Sequence, residues 1–170
     1  YRQYVQFFIT IYFIEVDKLA SNTTVRYIKF IKTVWNDARK NGIETHQQLE
    51  LIKGYTEKVE KIFLTFDELE LIEKADLKRE ALINARDWLL IGCYIGQRVS
   101  DLLILTKENI NTRNGLELIE LVQKKTGKKV AIPLHPKVKE ILNNRKGEFP
   151  TPISAQRFNE YIKDIAKLAK

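Results

Sequence analysis

At 170 residues the chain can form one good domain or two small ones, and its 44% hydrophobic content is enough for a core, which excludes a disordered or low-complexity segment. The excess of 29 Lys and Arg over 22 Asp and Glu, +7 in all, favours a polyanionic partner such as nucleic acid or an acidic membrane surface. A single cysteine excludes an internal disulfide and suits a reducing compartment, and two distant histidines with no Cys or His at ligand spacing argue against a metal site.

The chain opens on an apolar helical pattern from about Arg2 to Leu19, with apolar residues on more than one face, so that it needs partners on several sides. Its most apolar run, Val5 to Val16, is interrupted by Gln6, Thr10 and Glu15 and falls short of the roughly 20 residues that span a bilayer. It also lacks the basic lead-in and small-residue cleavage signature of a secretion signal, so a core helix is predicted and no membrane partner. Without a methionine anywhere, starting at Tyr1 inside one helical pattern and stopping at Lys170 inside another, the chain reads as a piece of something longer.

Ser21-Asn22-Thr23 is a capping cluster from which a second helix runs to about Lys40, stopped by Asn41-Gly42. Val25, Ile28, Ile31, Val34 or Trp35, and Ala38 fall at three-to-four spacing. Arg26, Lys29, Lys32, Arg39 and Lys40 occupy the other faces, as a surface for a phosphate backbone or as plain solvated helix. A short helical pattern from about His46 to Ile52 precedes Lys53 to Lys61, which has no clear period and reads as a linker. The predicted boundary therefore lies near residue 60, with a helical domain over 1–60 and a second over 61–170.

Thr65-Phe66-Asp67-Glu68 is a capping box opening a helix to about Ala75, followed by another from about Lys78 to Ile95. That second helix carries Cys93 among Trp88, Leu89, Leu90, Ile91 and Ile95, where a buried core thiol is predicted. After the break at Gly96, Arg98 to Leu105 restarts a helical pattern, and Thr106 to Ile110 leads into a turn at Asn114-Gly115. Two β-like runs come next, Leu116 to Val122 and Val130 to Leu134, and the Thr126-Gly127 turn between them predicts a hairpin. Pro136 starts a helix to about Asn143, and Ser154 caps a last one with the stripe Phe158, Tyr161 or Ile162, Ile165 and Leu168. The fold class predicted is mainly α with a small antiparallel β-hairpin or sheet.

Charge is distributed unevenly. Eight bases stand against the one acid Glu140 between Leu121 and Gly147, whereas six acids outnumber three bases between Phe66 and Glu80. The positive field is therefore local, as an electrostatic footprint should be. Within it, Lys124, Lys125, Lys128 and Lys129 surround the hairpin tip. There they can neutralise phosphate or donate a proton to a leaving oxygen, or simply keep an edge hairpin soluble. Arg98 heads a helix whose apolar residues hold it close to the core, and its guanidinium can offer two parallel N–H donors to a phosphate. Asp101, three residues on, can orient that guanidinium, and the two also read as an ordinary helix-surface pair.

The order of these motifs resembles the tyrosine recombinases, or phage integrases. The resemblance rests on Leu64-Thr65-Phe66-Asp67-Glu68-Leu69, an apolar helix, Gly96-Gln97-Arg98-Val99-Ser100-Asp101-Leu102-Leu103, and Lys125-Thr126-Gly127-Lys128 before Ile132-Pro133-Leu134. Ser154 to Asn159 and the last helix are similar to the segment preceding that family's His-x-x-Arg motif. Over Tyr1 to about Lys61 the likeness is looser, to part of the helical core-binding domain that clamps DNA.

The resemblance implies that residues 61–170 are the front portion of the catalytic domain. Arg98 is similar to the arginine that binds the scissile phosphate and stabilises its pentacoordinate transition state. Asp101 stands where a supporting acid, usually glutamate, is found. Lys125, eight residues before Pro133, is similar to the lysine that assists departure of the 5′ oxygen, a role that passes to Lys124 or Lys128 if the turn is shifted. Lys124, Lys128 and Lys129 become DNA-binding residues.

The implied partners are double-stranded DNA and, for the whole protein, three further copies on paired sites, at the nucleoid in the cytoplasm, as for a mobile-element integrase. A covalent 3′-phosphotyrosyl intermediate conserves bond energy, so no cofactor or metal is implied. The family's second arginine, further His, Lys or Trp residues and tyrosine nucleophile find no match before Lys170, so this chain alone is expected to be inactive. Two other readings compete: a non-catalytic DNA-binding regulatory module, and a type IB topoisomerase relative with the same arginine and lysine chemistry.

Overall fold

A computed structural model describes residues 11–51 and 57–169, which fall into two compact units, residues 1–62 and 63–170. In the first unit, the part of the expected opening helix before Ile11 lies outside the described residues. A π-helical turn, Tyr12–Val16, takes up its remainder, and Phe13 of this turn stacks on Tyr27 with ring centroids 5.5 Å apart. Helix α1, Ser21–Lys40, buries Thr24, Val25, Ile28 and Trp35. The choice between Val34 and Trp35 is settled for the tryptophan, because Val34 is 55% exposed.

The expected capping cluster is corrected: Ala20 is the N-cap and makes no side-chain capping bond. Asn22 instead pairs with the backbone of Glu57, donating to its carbonyl at 3.2 Å and accepting from its N–H at 3.1 Å. At the other end Gly42, at φ 75°, closes the helix as Asn41-Gly42 predicts. Of the basic residues on α1, Arg39 lies over the Trp35 ring at 5.2 Å and 3.6 Å from Glu50, and Lys32 donates to the Glu50 carbonyl. The short helical pattern is a 3-10 turn, Gln47–Leu51; Ile52, the expected end of that pattern, and residues 53–56 of the linker lie outside the described residues.

The second unit starts at the capping box. Glu68 N–H donates to the Thr65 hydroxyl, Thr65 N–H returns a bond to the Glu68 carboxylate at 2.7 Å, and α2, Phe66–Lys74, begins there. Helix α3, Glu80–Ile95, is apolar on most sides and runs through the centre of this unit's core: Ala85, Trp88 and Ile91 are fully buried. Helix α5, Pro136–Asn144, and helix α6, Ala155–Leu168, pack against it. Phe158 and Ile165 carry α6's contact, whereas Leu168, expected in the stripe, is 55% exposed.

The loop between α5 and α6 is fastened to α3 by side chains. Asn84 donates to the Thr151 carbonyl and accepts from the Thr151 N–H, both at 2.8 Å, and the Trp88 indole donates to the same carbonyl at 3.0 Å. Asp87 holds Arg145 of this loop at 2.7 Å and Arg86 at 3.2 Å.

The sheet has three antiparallel strands in the order β1, Ile110–Arg113, β2, Leu116–Val122, and β3, Lys129–Pro133. The sequence expectation missed β1. Asn114 and Gly115 both have positive φ, 51° and 77°, the geometry of the tightest hairpin turn, so they join β1 to β2 and do not merely open the second strand. The pairs Ile110–Ile119 and Ile119–Ile132 put three isoleucines side by side across the sheet. Ile119 is fully buried, a burial that contributes roughly 2 kcal/mol.

Candidate functional site

Two corners meet at the site: the break after α3 and the turn between β2 and β3. The first exists because Gly96 takes a left-handed conformation, φ 64°, that ends α3 and turns the chain into Gln97-Arg98. Arg98 is the N-cap of α4, Val99–Leu102, which is shorter than the expected run from Arg98 to Leu105. Its apolar residues and those just after it pack at once: Leu102, Leu103 and Leu105 are all buried within four positions. Helix α4 sits close to α3 because Gly92 has no side chain, since a Cβ there would fall 2.7 Å from Leu102 Cδ2.

Arg98 is not held against the core as expected, its side chain being 46% exposed. Its backbone is fixed, however, since its carbonyl accepts from both Asp101 and Leu102 N–H at 2.8 Å. The guanidinium is thus mounted on a rigid base and open to solvent. Asp101 is the opposite, fully buried. Its Oδ1 accepts the backbone N–H of Lys124 at 2.9 Å, and its Oδ2 lies 3.8 Å from Arg98 Nη1 with no hydrogen-bond partner. That separation is an ion pair without a hydrogen bond, which leaves the donors of Arg98 available. A helix-surface pair would show two exposed side chains, so the ordinary surface reading does not describe Asp101.

The second corner is closed by two backbone bonds, Gly127 N–H to the Gln123 carbonyl at 2.8 Å and Gln123 N–H to the Lys128 carbonyl at 2.9 Å. Gly127, at φ 65°, supplies the conformation the turn requires. Lys124, Lys125 and Lys128 are exposed on this turn, and Lys129 begins β3, also exposed. Among the described residues none of the four enters an ion pair. Elsewhere in this unit Lys107 is paired with Glu148 at 2.6 Å, Lys137 with Glu73 at 3.1 Å and Lys139 with Glu117. The hydrogen bonds and charges of Glu148 and Glu73 raise the pKa of Lys107 and Lys137. The turn thus carries four lysines within six positions with no ion-pair partner among the described residues.

The structure therefore brings Arg98 and the lysine turn together through Asp101. Sequence reasoning missed a second connection between the corners. Gln97 Oε1 accepts from Gln123 Nε2 at 3.0 Å, and Gln123 Oε1 accepts from the Thr126 hydroxyl at 2.9 Å. The only sequence signal was position, one glutamine beside each turn.

Other expectations resolve plainly. Cys93 is exposed, correcting the buried thiol, because it falls on the side of α3 away from Trp88 and Ile91. Partial desolvation by its surroundings still pushes its pKa up. His135 caps α5 by accepting the Lys137 N–H at 3.2 Å and stacks on Tyr94 with centroids 4.4 Å apart. Among the described residues no group of three or more His, Cys, Asp or Glu is placed to hold a metal ion, and no helix is long and apolar enough to cross a membrane.

Among solved structures, the chain is similar to lambda integrase bound to DNA, with 22% identity and a TM-score of 0.71 over 91% of this chain and 59% of that one. The chain has the tyrosine recombinase fold. A lambda integrase dimer bound to a COC′ core site matches with 22% identity and a TM-score of 0.72 over 99% of this chain and 62% of that one. A lambda integrase tetramer bound to a Holliday junction matches at 23% and 0.70 over 91% and 47%. The chain thus spans about three fifths of the length of the first two integrases. No family model and no curated protein sequence matches it. Within the integrase fold, α3 and the three-stranded sheet are the elements that carry the two corners of the site.

Proposed function

We propose that this chain is the DNA-engaging part of a site-specific tyrosine recombinase. It would supply part of the clamp and, over residues 61–170, the front portion of the catalytic domain. The observation that carries the reading is the convergence of an open, rigidly based Arg98 and an unpaired lysine turn on one buried carboxylate, Asp101. In that role Arg98 offers its free N–H donors to the scissile phosphate and stabilises the charge that builds on its oxygens. Lys125 gives a proton to the departing 5′ oxygen, and Asp101 holds the two in register. Lys124, Lys128 and Lys129 neutralise flanking phosphates of duplex DNA.

Strand cleavage belongs to the whole protein, as attack by a tyrosine giving a 3′-phosphotyrosyl link and a free 5′ hydroxyl, with four copies on paired sites. The chain alone is inactive in this reading. Of its two tyrosines after residue 62, Tyr94 is stacked on His135 and Tyr161 is half-buried with Arg79 over its ring.

The test uses a nicked suicide duplex that traps covalent adducts. The chain alone should give none, and an adduct would overturn the inactivity. In the complete protein Arg98→Ala should lose cleavage by at least a hundredfold while binding DNA almost as tightly, on the scale of losing one transition-state donor. Normal cleavage by that variant would remove Arg98 from the site.

A further inference from the structure

The turn that carries Lys125 is pinned on both sides of that residue. Lys124 is held through its N–H by Asp101, and Thr126 is held through its hydroxyl by Gln123. Gln123 is held in turn by Gln97, the residue next to Arg98. The hydrogen bonds run in one direction. The Thr126 hydroxyl donates to the Gln123 amide oxygen, and the Gln123 amide nitrogen donates to the Gln97 oxygen. The Gln97 nitrogen points back at the Ile95 carbonyl, 3.4 Å away, at the end of α3. Both glutamines are half-buried, so water competes weakly for their polar atoms.

We infer that Gln97 is a positioning residue, which acts through Gln123 and Thr126 to fix the lysine turn relative to Arg98. The inference rests on the proposed function for what the turn does, but not for whether the relay exists. A lysine on a freely moving turn would lose rotamer and backbone freedom on meeting a phosphate, and the relay removes part of that loss in advance. Two backbone bonds close the turn on itself, and Asp101 ties only its Lys124 side to the Arg98 segment. The amide chain fixes the far side, so Lys125 lies between two anchors that both trace to the Gln97–Asp101 segment.

The experiment is a double-mutant cycle on the full chain with Gln97→Ala, Gln123→Ala and both, read by hydrogen exchange of the Gly127 amide. That amide donates across the turn to Gln123 and so reports its opening. Each single variant should speed exchange about fivefold, the worth of one net hydrogen bond, with a thermal midpoint lowered by only a few degrees, and the double variant should add little to either. Thr126→Val, which removes only the hydroxyl at the far end, should act in the same direction. Unchanged exchange in both single variants, or fully additive effects, would overturn the relay.

A second readout is duplex DNA affinity against salt. Gln97→Ala should weaken binding about fivefold in the parent at a nearly unchanged salt slope, the ordering cost of one lysine, and leave affinity unchanged once Lys125→Ala is present. An equal effect of Gln97→Ala in both backgrounds would show that it does not act through Lys125 and overturn the positioning role. If the unsubstituted chain bound no duplex at all, the proposed function would fail, and the exchange cycle would still decide the relay.

Discussion

Asp101 and Lys124, 23 positions apart in the chain, are joined by a 2.9 Å bond from the lysine's backbone N–H to a carboxylate with no solvent exposure. The bond is made to the backbone, so the lysine side chain stays free. Replacing Asp101 with Ala leaves the Lys124 N–H without this partner and removes a fully buried side chain, and should cost about 2 kcal/mol in urea unfolding. Asp101→Asn keeps an oxygen for Lys124 and should lose less than half of that. Equal losses in the two variants would show that the charge beside Arg98, and not the bond to Lys124, is what matters.

Turn lysines and paired lysines should separate cleanly in DNA binding. Changing Lys124, Lys125, Lys128 and Lys129 singly to Gln should each reduce the slope of log affinity against log salt by up to about 0.9. Lys107→Gln, which removes a charge already paired with Glu148, should change it little. Fluorescence anisotropy of a labelled duplex between 50 and 200 mM salt, the range of roughly 10³-fold effects for multiple phosphate contacts, measures both.

Asn84 stands in for a strand neighbour by exchanging two bonds with Thr151, while Trp88 adds a third at the same carbonyl. Asn84→Ala should therefore destabilise the chain by about 2 kcal/mol, seen as a lower urea midpoint at unchanged slope. Asn84→Asp should be comparably harmful, since it restores only the acceptor and brings a charge to a nearly buried position.

The capping box sets an acid dependence. Bonds from the Thr65 backbone N–H and hydroxyl hold the Glu68 carboxyl below its ordinary pKa of 4.5. A group depressed on folding contributes fully above its unfolded pKa, and the contribution disappears as pH falls through the lower folded value. The stability difference between the parent and Glu68→Ala should be constant at neutral pH and shrink as the pH drops below about 4.5. A difference that grew on acidification would contradict the assignment.

Much of this fold was legible because strong local signals agreed with tertiary packing: Thr65-Glu68, Asn41-Gly42, Gly96, Pro136 and Ser154 all mark real element ends. Expectations failed where the deciding partner was distant. Ser21-Asn22-Thr23 looks like a cap, but Asn22 is taken by Glu57, 35 residues away. Strand β1, Ile-Asn-Thr-Arg, is too short and polar to show an alternation of its own, and it exists because β2 pairs with it. At the site, Arg98 and the lysine turn could be named from motif order. Asp101's burial and the Gln97–Gln123 bond depend on how two corners meet, which spacing along the chain does not encode.

Cys93 gives the molecule a reporter without engineering. It is the chain's sole thiol, it is exposed, and it lies five residues before Arg98 on the helix that supports it. A fluorophore or spin label will therefore attach at one defined place, on a rigid mount beside the corner where DNA is expected. Its raised pKa keeps the thiolate scarce at neutral pH, so coupling should be slow there and quicken in mildly alkaline buffer. A probe so attached would sense a duplex arriving at the site while every residue of the arginine and lysine corners stays native.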